Sequence, residues 1–228
     1  DVDDGAPNLA VGQQAYASSV YQFYSARLEP NFAVDGVTQY FNDLSTTNPQ
    51  IFHSAYSDQA PWFSVDLGFS ASIVRVVIWN RCDCCEGRMQ NAELRIGDVA
   101  IAASGDTAKI TSNPLVWTQT SNLGLCAAMA ITFDTPQVGR WVTLQNKNLE
   151  SDDGMLQLTE LQAFGFGLDY CSQLPCGEAT CTNLDTTWMC GTCPPYTYST
   201  TTAVRGAKGP ACRGMCVGLR AHFTGILP

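Results

Sequence analysis

The apolar residues of this chain collect in short segments that read as strands. Trp62 to Leu67 (WFSVDL) and Ile73 to Trp79 (IVRVVIW) are rich in β-branched and aromatic residues, and so is Trp141 to Leu144 (WVTL). Leu156 to Phe164 (LQLTELQAF) alternates apolar and polar positions, the two-residue period of a half-buried strand. Gly, Pro, Asn and Asp gather between these segments, as at Gly97-Asp98, Ser112-Asn113-Pro114 and Asp152-Asp153-Gly154. No long stretch carries a helical period with caps. Short strands separated by turn chemistry predict an antiparallel sandwich or jelly roll.

The pattern changes after Gly165-Phe166-Gly167, which reads as a hinge. Beyond it the apolar strands stop and cysteines recur every few residues. The predicted organisation is therefore a β-sandwich over 1–167 and a small cysteine-rich module over 168–228. So short a segment cannot build much core, so disulfides must hold its fold.

Composition narrows the function. The net charge is −9 and the isoelectric point is near 4.5. The acidity lies in residues 1–167, at a net of −10, against +1 beyond them. A nucleic-acid partner would need a basic face, so none is expected. No apolar run approaches the roughly 18 to 20 residues that cross a bilayer, so no membrane insertion is expected. Asp1-Val2-Asp3-Asp4 has neither the basic nor the apolar part of a signal peptide, as in a mature form whose leader has been removed. There are 11 cysteines, seven of them between Cys171 and Cys216. Among those seven, only Cys190 and Cys193 have the C-x-x-C spacing of a zinc site, and only His53 and His222 could add to them. Disulfides in an oxidising, extracellular compartment are the better reading, so a secreted protein is expected. The odd count leaves at least one thiol free, or bridged to another chain in a homo-oligomer.

The stretch richest in chemistry is Arg81-Cys82-Asp83-Cys84-Cys85-Glu86-Gly87-Arg88, with His53 upstream. Arg81 and Arg88 present planar forks of permanently charged donors. His53 adds a donor or an acceptor according to its tautomer, and Asp83 can hold one guanidinium in place. Such a cluster suits a hydroxyl-rich neutral ligand, and equally a carboxylate or phosphate. Cys84 and Cys85 could bond to each other through an eight-membered ring and present an apolar plate. Alternatively, each could pair elsewhere, for instance with Cys82 or Cys126. No nucleophile–base pair or paired acid stands out, and His222 is isolated, so no enzyme is expected.

A histidine followed by R-x-D-x-x-x-x-R with C-C inside it resembles the F-type lectin (fucolectin) family. Asn8-Leu9-Ala10, Ala33-Val34-Asp35-Gly36, Trp62 to Gly68, Gly139-Arg140-Trp141-Val142 and Leu156 to Leu161 extend the resemblance in order over residues 7–167. It implies an all-β fold like that of discoidin and coagulation-factor C-type domains, an eight-stranded antiparallel jelly-roll sandwich with binding loops at one end. It also implies a protein that binds fucosylated glycans. His53, Arg81 and Arg88 would bond the ring oxygen and hydroxyls of L-fucose, Asp83 would orient them, and a Cys84–Cys85 disulfide would pack against the sugar ring. Tyr40 and Phe41 are the candidates for the pocket of its 6-methyl group.

The resemblance further implies a structural Ca2+ ion held by the side chains of Asp35 and Glu160, with carbonyls near Phe32, Val37, Gln50 and Thr159. Two carboxylates and several carbonyls suit the roughly six to eight oxygens that calcium takes. Read from the residues alone, Asp35 is a turn residue and Glu160 a solvent-facing strand residue. The chain also departs from the family. Ile51 and Thr159 stand where members usually carry a bridged pair of cysteines, Cys82 has Cys126 as an alternative partner, and the segment from Asp35 to His53 is longer than usual. The tail's cysteine spacing resembles an EGF-like module, which implies Cys171–Cys181 and Cys176–Cys190 pairing. The competing expectation is an extracellular matrix or assembly protein that docks through the sandwich and oligomerises through the tail.

Overall fold

The structure is a computed structural model that describes residues 5–23, 26–38, 51–147 and 154–168, together with the backbone of 181–183, 188–190, 197–200, 207–208 and 211–214. The chain divides into two compact units, Asp1–Leu168 and Asp169–Pro228.

The first unit is all-β. Its strands are β1 (Gln14–Ala17), β2 (Gln22–Phe23), β3 (Ala26–Arg27), β4 (Phe52–His53), β5 (Trp62–Trp79), β6 (Ala92–Gly97), β7 (Leu115–Thr118), β8 (Ala128–Asn146), β9 (Gln157–Leu158) and β10 (Glu160–Gly167). The helical segments among the described residues are short 3-10 turns at Pro30–Ala33, Glu86–Met89 and Ser104–Ser112. Six strands form one antiparallel sheet in the order β1-β5-β8-β6-β7, with β10 on β5, while β2–β3 and β4–β9 form small separate pairs. Phe52 and Leu158 of the β4–β9 pair meet Val65, Ile73, Leu94, Val142 and Leu161 of the large sheet in one buried cluster. Burying the larger side chains of this cluster, at about 1.5–3 kcal/mol each, is what drives the layers together.

Two expectations need correcting. Trp62–Leu67 and Ile73–Trp79 are not separate strands but the two ends of the 18-residue β5. They are joined through an irregular stretch, 67–70, whose register shift lies between Asp66 and Ala71. Gly68 sits there at a φ of 83°, which a Cβ would disfavour, and its N–H donates to Asp66 Oδ1 at 2.9 Å. Arg140 on β8 grips the same carboxylate with Nε at 2.6 Å and Nη2 at 3.0 Å. Gly165-Phe166-Gly167 is likewise not a hinge. It continues β10 against Ile73, Ser72 and Ala71 after a bulge at Phe164/Gly165. A Cβ on Gly165 would lie 2.4 Å from the Ser72 carbonyl oxygen, so this glycine serves close backbone approach rather than flexibility.

In the second unit, β11 (Cys181–Asn183) pairs antiparallel with β12 (Trp188–Cys190), which runs parallel to β14 (Ala207–Lys208). β13 (Thr197–Thr200) pairs with β15 (Ala211–Gly214). The EGF-like pairing involves Cys171 and Cys176, which lie outside the described residues.

Candidate functional site

His53 is positioned by backbone. It lies opposite Gln157 in the β4–β9 pair, its N–H donates to the Leu28 carbonyl at 3.2 Å, and its carbonyl accepts from Tyr21 N–H at 2.8 Å. The imidazole is 3% exposed, and Nδ1 lies 2.6 Å from the Ser54 carbonyl oxygen. A carbonyl can only accept, so Nδ1 carries the proton and Nε2 receives Arg88 Nη1 at 3.2 Å. Burial, reinforced by the nearby Arg81 and Arg88 charges, lowers the His53 pKa to about 4. The ring is therefore neutral at physiological pH.

Arg81 follows the end of β5. Its Nε and Nη2 grip Asp83 Oδ1 and Oδ2 at 2.6 and 2.5 Å, and its Nη1 donates to Gln157 Oε1 at 2.6 Å. Arg88, in the Glu86–Met89 turn, donates from Nη1 to the same Gln157 oxygen at 2.9 Å. Gln157 then donates through Nε2 to the Cys85 carbonyl at 3.0 Å. The structure thus brings His53, Arg81, Asp83 and Arg88 into one network, and the buried residue that joins them is Gln157. Reading the sequence missed it. Between Leu156 and Leu158, a glutamine looks like the outward position of an alternating strand, and only its pairing with His53 reveals otherwise.

Two further amides support the loop. Asn80 accepts from Arg81 N–H at 3.0 Å and donates to the Leu123 carbonyl at 2.7 Å. Asn146 donates to the carbonyls of Arg88 and Met155 at 2.9 and 2.8 Å. Cys84 and Cys85 are bonded to each other, with Cys85 at a φ of 64°, and Cys82 is bonded to Cys126. The Cys84–Cys85 pair is half-buried, so an apolar surface stands beside a sunken polar cluster.

Comparison with known proteins settles the family. The chain is 30% identical to Fucolectin-5 of Anguilla japonica over 159 residues, which cover 68% of this chain and 74% of that one. It belongs to the fucolectin family. Residues 32–144 match the F5/F8 type C family described as NedA-like, galactose-binding domain. The fold is that of a fucolectin from the serum of striped bass, Morone saxatilis, at a TM-score of 0.59 and 24% identity, covering 78% of this chain and 56% of that one. A fucose binding module of Streptococcus pneumoniae aligns at a TM-score of 0.51 and 23% identity, over 72% of this chain and 99% of the module. The discoidin-like sandwich is thus established for this fucolectin.

The residues expected to hold calcium divide into two groups. Glu160 is fully buried, not solvent-facing. Its Oε1 accepts from Gly36 N–H at 3.2 Å, while Oε2 has no hydrogen-bond partner. Burial and the neighbouring Asp35 carboxylate raise its pKa to about 8. Burial likewise raises that of Asp35, whose Oδ1 accepts from Val37 N–H at 2.8 Å. Two carboxyls held together, one with an orphaned oxygen, are the donor set that a hard cation would satisfy. Thr159 is buried beside Glu160, Phe32 lies in the Pro30–Ala33 turn, and Val37 follows Gly36. Gln50, Tyr40 and Phe41 lie outside the described residues. At the two positions where the resemblance implies cysteines, Thr159 donates its hydroxyl to the Asn80 carbonyl at 3.1 Å and Ile51 packs in the interior. Ile51 is buried against Leu28, with Tyr21 and Cys82 alongside.

The aromatic groups that the structure does place beside His53 are Tyr21 and Tyr56. Their ring centroids lie 5.1 and 5.8 Å from the imidazole and 4.7 Å from each other, edge to face.

Proposed function

We propose that this fucolectin is a secreted, calcium-dependent lectin that reads terminal L-fucose-type sugars. The observation that carries the proposal is the convergence of Arg81 and Arg88 on the neutral side chain of Gln157, with His53 accepting from Arg88 beside them. The proteins it resembles include fucolectins and a fucose binding module, a sugar-binding and non-catalytic kind. Arg81 and Arg88 would donate to the sugar hydroxyls and ring oxygen. Charged donors make the stronger hydrogen bonds, at about 1.5–3 kcal/mol each. Asp83 fixes the fork of Arg81, and neutral His53 gives Arg88 an acceptor without adding a third positive charge. The Cys84–Cys85 plate would lie against the C–H face of the sugar ring, and Tyr40 and Phe41 remain the candidates for its methyl group.

The residues fit a calcium ion, which would take the side chains of Asp35 and Glu160 and the carbonyls of Phe32, Val37, Gln50 and Thr159. Bound there, the ion supplies charge compensation and a cross-link. The chain's own contribution is to join the turn after Asp35 to β10, next to the strand pair that carries His53 and Gln157.

The test is a glycan array with and without calcium, on the wild type and on Arg81→Lys, which keeps the charge but loses the two-pronged grip. Binding to fucosylated glycans that disappears with chelator and with Arg81→Lys is expected. A wild type that ignores every fucosylated glycan sinks the proposal, and preferential binding of galactose without fucose would replace it.

A further inference from the structure

Tyr56 is 59% exposed, the most exposed large hydrophobic residue among the described ones. A lone exposed aromatic is ordinary, but the placement of this one is not. Its edge-to-face contact with Tyr21 and its position against His53 fix one side of the ring next to the polar cluster. Tyr21 is itself anchored, packing on Leu28 and Ile51. The loop that carries Tyr56 is pinned two residues later. Asp58 Oδ2 accepts from both Ser18 and Ser19 hydroxyls at 2.5 Å, and Oδ1 accepts from Ala60 N–H at 3.0 Å. Ser19 Oγ in turn accepts from Ala55 N–H at 3.0 Å. An aromatic ring held rigidly with its surface in solvent has little conformational entropy left to lose on binding.

From this we infer that Tyr56 forms a second sugar subsite, stacking the C–H face of the residue to which the terminal fucose is attached. This rests on the fucose reading of the His53, Arg81 and Arg88 cluster. The buried polar groups take the terminal sugar, and the ring at their edge takes its neighbour. The negative π-face of tyrosine attracts the positively polarised C–H groups of a pyranose face. The subsite therefore selects fucosyl oligosaccharides over free fucose without reading their hydroxyls.

Calorimetry with methyl α-L-fucoside and with fucosyl disaccharides of each natural linkage tests it, with thermal melting to confirm that each variant is folded. The wild type is expected to bind at least one disaccharide more tightly than the monosaccharide. Tyr56→Ala is expected to lose about five- to tenfold on that disaccharide, the scale of one aromatic contact, while the monosaccharide stays within about twofold. Tyr56→Phe should keep the disaccharide affinity. Equal losses on both ligands, no loss on either, or a Tyr56→Phe that falls as far as Tyr56→Ala would each overturn the subsite. A wild type that binds no fucoside at all would instead overturn the reading beneath it.

Discussion

Gln157 accepts a hydrogen bond from Arg81 at 2.6 Å, with the same side-chain oxygen that receives Arg88. A carboxylate in that place would add a second negative charge beside Asp83, whereas an amide accepts from both guanidiniums without adding one. Gln157→Leu keeps the volume but leaves two buried cations without this acceptor. Losing one charged hydrogen bond costs about 1.5–3 kcal/mol. The variant is expected to lose at least that much unfolding free energy, read as a lower urea midpoint, and to lose fucoside binding. An unchanged midpoint would show that the arginines do not depend on Gln157.

His53 gives the stability a pH dependence whose sign is fixed by its burial. Its folded pKa is about 4 against an ordinary 6.5, so the unfolded chain takes up the proton first as pH falls. The contribution is whole above pH 6.5, shrinks through the window down to about 4, and is then lost. A depression of this size corresponds to about 3 kcal/mol. Urea unfolding of wild type and His53→Gln across that window is the check. The variant should show a shallower decline, and parallel curves would remove His53 as the cause.

The strands were legible where composition and burial agree. Ile73–Trp79 is rich in β-branched residues, and it lies in a strand, as one end of β5. What joins it to Trp62–Leu67 was not legible, because Gly68 looks like a chain break until Arg140 is seen gripping Asp66 across the sheet. Gly165 misled in the same way, since a glycine required by a neighbouring carbonyl and a glycine that permits a hinge are the same letter. At the site, charged residues announced themselves through their chemistry, while Gln157 and Asn80 did not. Their importance comes from burial and from partners tens of residues away. The Cys84–Cys85 bond was open on chemistry alone, and family resemblance is what pointed to it.

Cys82–Cys126 closes a separation of 44 residues and ties the end of β5 to the start of β8. Loop-closure entropy puts the stabilisation at about 3–4 kcal/mol. The double variant Cys82→Ala/Cys126→Ala is expected to lose that much in denaturant unfolding. Its affinity for fucoside at low temperature should fall much less, because Arg81, Asp83 and Arg88 keep their Gln157 and carboxylate partners. Abolished binding in a folded double variant would mean that this bridge, not the amide network, sets the arginines.

Calcium binding should carry a proton signature. With no cation present, Glu160 has a pKa near 8 because it is buried next to Asp35, so much of it is protonated at neutral pH. A cation that takes both carboxylates must displace that proton, so affinity rises as pH increases from 7 towards 9 and protons are released on binding. Titrating calcium into weakly buffered, metal-stripped protein is expected to acidify the solution at pH 7 and to do so less at pH 9. Glu160→Gln should remove both the acidification and the gain in melting temperature that calcium gives the wild type. Calcium binding without proton release at pH 7 would place the ion away from Glu160, and the link between β10 and the turn after Asp35 would need another explanation.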